Sequence, residues 1–351
     1  MCYLLIGACS QDKPVTPGVI PQSKFPFVIA DVFEVGAGVY VRSLAVDQQR
    51  NSLWVGTSTG ALEIDLNHYS IKQTITRVNG LANEYVFHVT VGKAGDVWFG
   101  TNGGGISHFN NNQWKTYFPL HGLADYWVYS AVERGAEVWI GTWAGLSQFN
   151  PQTQTFKTYL KELANEWVYG LAVDKKNQLW VATEGGINSF DGTQWRVWTH
   201  QEGLGAPNKA AYAASTNTGL GTRARHDLSV LQAGKPTYNP NYVFCVLADK
   251  KDQIWAGTWG GGLARYDGVS WQNTTMAAGL GGDIVYSLTE DSQGRIWAGT
   301  NGGLSVLMDS RWINLDQSQG LVDNHVYAVT SQNNGQIWVG LRGAVVRLVP
   351  K

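Results

Sequence analysis

The chain has 351 residues, of which 15% are charged, and its net charge of -1 excludes a basic nucleic-acid-binding or polybasic membrane surface. Glycine (42) and tryptophan (16) are both abundant and 44% of residues are hydrophobic, which excludes collagen-like and disordered chains and fits many short strands joined by tight turns. Two of the three cysteines, Cys2 and Cys9, lie in the first nine residues, so with Cys245 alone in the body no disulfide framework holds it.

The first eight residues, MCYLLIGA, form a short apolar run, followed by Cys9 and a polar, Pro- and Gly-containing stretch to residue 24. Ile6-Gly7-Ala8-Cys9 resembles a bacterial lipobox. The resemblance implies a signal peptide over 1–8, lipidation of Cys9 and a tether over 9–24, hence a periplasmic or outer-membrane lipoprotein of a bacterium that touches the membrane only through its lipid. The run lacks a basic n-region and is shorter than an ordinary h-region, as a signal shortened at its start would be. No other segment approaches the ~20 apolar residues of a spanning helix.

From residue 25 onward one phrase recurs. Its tryptophans are Trp54, Trp98, Trp139, Trp180, Trp255, Trp297 and Trp338, at successive spacings of 44, 41, 41, 75, 42 and 41 residues. A period of ~40–45 residues is that of a four-stranded propeller blade, and the long interval is one period plus about 33 extra residues. Within one period the text divides into strands Ile284–Glu290, Arg295–Thr300, Leu304–Met308 and Arg311–Leu315, here called a to d. Asp47, Asp174, Asp249 and Asp291 stand at a–b corners and are expected as turn formers rather than catalytic carboxylates. The residue after the strand-a aromatic is small (Ser43, Ser130, Gly170, Cys245, Ser287, Ala328), with His88 the exception, because inner strands crowd near an axis. Cys245 is accordingly expected as buried filler and His88 as a satisfied core residue. The glycine of the Trp-x-Gly-Thr phrase, replaced by Ala182 in the fourth copy, is expected to let neighbouring blades approach. After Trp338 only one strand, Val345–Val349, remains, while Phe27 precedes Val41 by the same 14 residues that separate Trp312 from Val326. The expectation is an all-β, seven-bladed β-propeller over 25–351 with four-stranded antiparallel blades, closed 3+1 by an N-terminal strand around Phe25–Phe33 that completes the last blade.

The stretch GLGGDIVYSLTEDSQGRIWAGTNGGL (279–304) is similar to the two-component regulator propeller repeat, and the likeness runs over about residues 26–349; WD and kelch signatures are absent. The resemblance implies an extracytoplasmic sensory or ligand-binding propeller. In longer members the propeller is followed by an immunoglobulin-like domain, a membrane helix and a histidine kinase. No such text occurs in these residues, so the expectation is a non-catalytic recognition module for a separately encoded partner.

Strand direction puts the b–c turns and d–a links on one face and the a–b and c–d turns on the other. The second face repeats bland polar text (DKKNQ, DKKDQ, DSQGR), whereas the first varies. Its candidates for ligand or partner binding are Tyr85, Tyr126, Trp127, Trp167 and Tyr242 from the d–a links, with Trp143, Glu184, Trp259, His325 and Arg342. Tyr85, Trp127, Trp167 and Tyr242 directly precede strand a and serve equally well as caps of their own blades. Trp143 and Trp259 stand where other blades have Asn, Glu, Arg or Ser and are the sharper candidates. Aromatics and arginine at a concave mouth dominate recognition energies, and aromatic faces take cations and sugar rings. The extra residues, 205–240, open on the same face as a lid or docking arm in which Arg223, Arg225 and His226 are candidate contacts.

No P-loop, H-E-x-x-H, EF-hand or G-x-S-x-G text occurs, and the histidines lack metal-ligand spacing, so neither cofactor nor metal is expected. The expected ligand is a small molecule or saccharide, an envelope protein, or both, bound by a monomeric propeller. Two alternatives stand beside this: an accessory scaffold of an envelope complex docking through 205–240, and a propeller lyase or hydrolase using His325 or His226.

Overall fold

In the computed structural model, which describes residues 25–215 and 237–351, seven antiparallel sheets follow one another in chain order. The innermost strands are Val41–Asp47, Val86–Val91, Val128–Arg134, Val168–Val173, Thr237–Ala248, Val285–Glu290 and Ala328–Ser331. Each packs on the inner strands of the blades before and after it, and the first packs on the last, so the sheets close into a seven-bladed propeller. The closing blade takes its outer strand from the chain start. Phe27–Glu34 runs antiparallel to Ala344–Pro350, in register from Phe27 with Pro350 to Glu34 with Ala344. The Phe27 ring stands edge-on to Trp297 at 4.9 Å, which fastens the closure onto blade six.

The repeated phrase has a separate structural task for each letter. Trp54, Trp98, Trp139, Trp297 and Trp338 are all but fully buried between sheets. At four corners the aspartate ties the turn to that indole. Its Oδ1 accepts backbone N–H groups from the turn, and its Oδ2 accepts the indole Nε1–H of Trp54 (3.2 Å), Trp180 (3.0 Å), Trp255 (2.8 Å) or Trp297 (2.8 Å). Those aspartates therefore do more than form turns. Blade three has no corner aspartate; Arg134 lies over the Trp139 ring at 5.7 Å instead. The phrase threonine closes the b–c turn by donating to a glycine carbonyl, as Thr300 does to Gly303 at 2.8 Å.

The phrase glycine faces the next blade's inner strand. A Cβ at Gly299 would sit 2.5 Å from the Val326 carbonyl oxygen and 2.5 Å from Ser287 Oγ, closer than packed atoms approach. Blade four inverts the arrangement: Ala182 occupies the glycine position, and its ladder partner is Gly170 rather than a serine.

Two sequence expectations need correction. Strand a of blade five starts at Thr237, not near Val243, so 237–240 belong to the sheet rather than to the arm. Ala213–Ala214 runs parallel beside its start. As a result Asn239 pairs with Trp259, which becomes the last residue of strand Ile254–Trp259 rather than part of a free turn. The residues expected as signal, tether and lipidated Cys9, and the arm residues Arg223, Arg225 and His226, lie outside the described residues. Among the described residues no helix is long and apolar enough to cross a membrane.

Candidate binding site at the axial mouth

In six blades the a–b ladder slips at the residue after the strand-a valine: between Val41 and Ser43, Val86 and His88, Val128 and Ser130, Val168 and Gly170, Val243 and Cys245, and Val285 and Ser287. A bulge leaves one residue out of the ladder, bends the strand and re-aims a side chain. The residues so released are Arg42, Phe87, Tyr129, Tyr169, Phe244 and Tyr286, and Tyr327 holds the same place in blade seven. With the residues that follow them they line an axial cavity of about 200 Å³. All of its lining comes from the three residues that follow the valine of each inner strand, so it lies at the end of the axis that the d–a links and b–c turns surround.

The rings form an almost unbroken circle. Centroid distances are 4.8 Å for Phe87–Tyr129, 5.2 Å for Tyr129–Tyr169, 5.6 Å for Tyr169–Phe244, 5.8 Å for Phe244–Tyr286 and 5.2 Å for Tyr286–Tyr327. Arg42 fills the remaining place, with its guanidinium 5.3 Å from the Phe87 centroid. This inner circle was missed at the sequence level, although its signal is there: every inner strand reads Val, then an aromatic or Arg, then a small residue or histidine, and Arg42 is the odd letter.

Most of the candidates named from sequence form a second tier around that circle. Tyr85 lies 4.9 Å from Phe87, Trp143 stacks on Trp167 at 4.4 Å and stands edge-on to Trp127 at 5.7 Å, and Tyr242 stacks on Trp259 at 5.4 Å. Backbone bonds hold the turns onto the links: the N–H of Trp143 donates to the Trp127 carbonyl at 3.1 Å and that of Glu184 to the Trp167 carbonyl at 3.3 Å. Trp127, Trp167, Tyr242 and Trp259 are buried, whereas Trp143 is partly exposed. Trp259 also donates its Nε1–H to Thr237 Oγ1 at 2.8 Å, so the two sharper candidates part company. Tyr126 is 44% exposed and stacks on Phe118 on the outer side of its link. Arg342 is exposed at the rim, 5.6 Å over Tyr40.

Glu184 is buried and accepts the Tyr169 hydroxyl at 3.2 Å. In blade order it stands across the ring from Arg42. His325 shares a hydrogen bond with Asp323 at 3.2 Å and stacks on Tyr327 at 6.1 Å. Burial works to raise the Asp323 carboxyl, but the bonds from His325 outweigh it and the net direction is down. Burial drives the Tyr169, Tyr286 and Tyr327 phenols above their ordinary range and pushes the Cys245 thiol up to about 12, so none of them is an anionic nucleophile near neutrality. Among the described residues no group of three metal-ligating side chains comes together.

His88 lines the same cavity, with Nε2 at 3.1 Å from the Ala131 carbonyl, and burial lowers its pKa to about 4. The fold thus favours neutral imidazole. Its contribution is fully present above the unfolded value of ~6.5 and is lost as pH falls from there towards 4. Between pH 7 and pH 4.5 the protein should lose about 2 kcal/mol more stability than His88→Gln, read from urea midpoints at each pH. Parallel pH profiles for the two proteins would show that His88 is not the titrating group.

Residues 162–185, 237–260 and 279–302 match the family model described as two component regulator propeller. These stretches are two component regulator propeller repeats, each covering strands a and b of its blade and ending one or two residues beyond strand b. No curated protein matches the chain. Among solved structures, the chain is similar to the extracellular domain of a protein described as a hybrid two component system from B. thetaiotaomicron, with TM-score 0.70, 22% identity, and 89% of this chain and 39% of that one covered. It is similar to virginiamycin B lyase from Staphylococcus aureus, with TM-score 0.64, 11% identity, and 92% and 99% covered. It is also similar to PorZ, a surface component of the type-IX secretion system of Porphyromonas gingivalis, with TM-score 0.62, 11% identity, and 90% and 47% covered. At such identities these likenesses establish the propeller fold and nothing finer. The chain spans 39% of the first of them.

Proposed function

We propose that this propeller of two component regulator repeats is a non-catalytic recognition module of the bacterial cell envelope, which takes a small ligand at its axial mouth and serves a separately encoded partner. One observation carries the reading: seven bulged or equivalent positions deliver six aromatic rings and one arginine to the wall of a single axial cavity. A concave, largely aromatic pocket with a few polar groups is the usual form of a small-molecule site. The likeness to an extracellular domain of a two component system supports the envelope placement. Catalysis is less well served. His88 in the cavity wall is engaged with the Ala131 carbonyl and held neutral by burial, His325 lies 6.5 Å from Tyr286 and 6.1 Å from Tyr327, and those phenols are held protonated by burial, which suits holding a ligand better than moving protons.

The accessory-scaffold reading draws on a different observation. Val78 and Leu120, on the d–a links of the same face, are 96% and 85% exposed. Trp143→Ala separates the two readings. If the mouth binds a small ligand, native mass spectrometry and calorimetry on the full chain should show its affinity falling about tenfold, with stability lowered by no more than about 1–2 kcal/mol. A collapse of the unfolding transition in that variant would make Trp143 a core residue. Unchanged ligand affinity, together with loss of partner capture on Val78→Asp and Leu120→Asp, would favour the scaffold.

A further inference from the structure

Six of the seven side chains that the inner strands turn to the axis are aromatic, and the seventh is a cation. Arg42 is partly buried in this wall. Arg50, Arg77, Arg295 and Arg347 each hold a carboxylate. Arg42 has none within ion-pairing distance among the described residues; its contact is the face of Phe87. The acids of this end are placed elsewhere: Asp323 is hydrogen-bonded to His325, and Glu184 accepts from Tyr169 on blade four. Withdrawing a guanidinium from water without a counter-ion is costly, and the arrangement favours an anion that completes it.

The rest of the wall restricts what else that anion can carry. Ser43 Oγ already serves Val89 as donor and acceptor, His88 is engaged with the Ala131 carbonyl, and the Cys245 thiol faces the Val285 carbonyl. Ser130 Oγ, on a residue 3% exposed, and Ser287 Oγ are buried without a hydrogen-bond partner. The rest of the lining is the aromatic circle, with the phenol groups of Tyr129, Tyr169, Tyr286 and Tyr327, and aliphatic side chains such as Leu44, Leu171 and Leu288. The hydroxyls of a saccharide would compete for these few phenols and the two serines, whereas a planar apolar ring packs directly against the aromatic circle. Since a dry cavity of ~150 Å³ admits benzene, one of about 200 Å³ has room for a single ring with one small acidic substituent.

The geometry points to a monocyclic aromatic carboxylate as the ligand of the axial cavity, with its carboxylate on the Arg42 guanidinium and its ring among Phe87, Tyr129, Tyr286 and Tyr327. This deepens the mouth-binding reading and rests on it. Arg42 acts as the anion anchor and the aromatic circle as the ring slot. Arginine suits the task better than lysine because its fork meets both carboxylate oxygens.

Titration calorimetry of the full chain with benzoate and phenylacetate, against benzamide and glucuronate, tests this. At least one ring acid should bind the unaltered protein at least about tenfold more tightly than benzamide, a comparison that needs no variant. Arg42→Met should weaken that acid by at least about tenfold and Arg42→Lys by less, with neither changing the unfolding midpoint materially. Benzamide binding as well as benzoate, Arg42→Met binding like the unaltered protein, or no binding by either ring acid would overturn the proposal. Glucuronate bound in a manner sensitive to Trp143→Ala but not to Arg42→Met would also overturn it, while leaving the mouth as the binding site. If no bound molecule of any kind responds to Trp143→Ala, the mouth-binding reading itself fails.

Discussion

Asp291→Ala should destabilise the protein by about 4 kcal/mol, measured as a fall in urea midpoint at unchanged slope. The carboxylate is fully buried. It accepts the backbone N–H groups of Gln293 and Arg295 at 2.9 and 3.0 Å, the Trp297 indole at 2.8 Å and the Arg295 guanidinium Nε–H at 2.6 Å. Alanine removes the acceptor and leaves those donors behind, one of them charged, which costs more than the bonds themselves contributed. The loss would also spread. Arg295 lies 5.0 Å over the Phe27 ring and Phe27 packs on Trp297, so the corner of blade six supports the strand that closes the propeller. Asp291→Asn keeps an oxygen acceptor and should cost about half as much. A loss below about 1 kcal/mol for Asp291→Ala would show that the corner aspartate does no more than shape its turn.

The second large effect concerns a single methyl group. Gly299→Ala should cost about 3 kcal/mol, because the new Cβ would lie 2.5 Å from both the Val326 carbonyl and Ser287 Oγ, and neither blade can retreat without opening its other contacts. Blade four already contains the compensated version, Ala182 opposite Gly170. Ser287→Gly added to Gly299→Ala should therefore recover about 1 kcal/mol, leaving the contact with Val326 unrelieved. A double-variant cycle by urea denaturation measures that coupling. Strict additivity would mean that the blade-four pairing has another origin.

The scaffold was legible because its constraints repeat. Seven tryptophans at nearly constant spacing mark strand b, and the 14-residue offset of Phe27 from Val41 is enough to place the first strand beside the last. The link between corner and indole was harder to see, since an aspartate at a tight turn already has a sufficient local reason to be there. The axial circle was hidden for a geometric reason. Alternation along a strand tells which face a side chain takes, and a bulge cancels that alternation at one residue, so neither Arg42 nor Tyr129 can be assigned by counting. Trp143 and Trp259 show the same limit from the other side. They follow identical Gly-Thr text, but the inserted residues of blade five extend its inner strand to Thr237, which pairs over Trp259 and buries it, while Trp143 stays partly open. The destination of a letter depended on an insertion about twenty residues away from it.

The closure between Phe27–Glu34 and Ala344–Pro350 also imposes an order in time. Its two strands are separated by almost the entire chain, and bringing such distant segments together in an unfolded chain would cost about 5 kcal/mol of chain entropy, so closure follows the packing of the blades between them. Blades one to six are built from local hairpins and can form as they emerge, whereas the seventh must wait for its last residue. Until then the first-made strand, Phe27–Glu34, has no partner, and once Ala344–Pro350, with text AVVRLVP, is made, its apolar edge is open until the two meet, an edge of the kind that joins other chains. The interval between synthesis of the first strand and its docking on the last is when this protein is most exposed to aggregation, and chaperone demand should concentrate there.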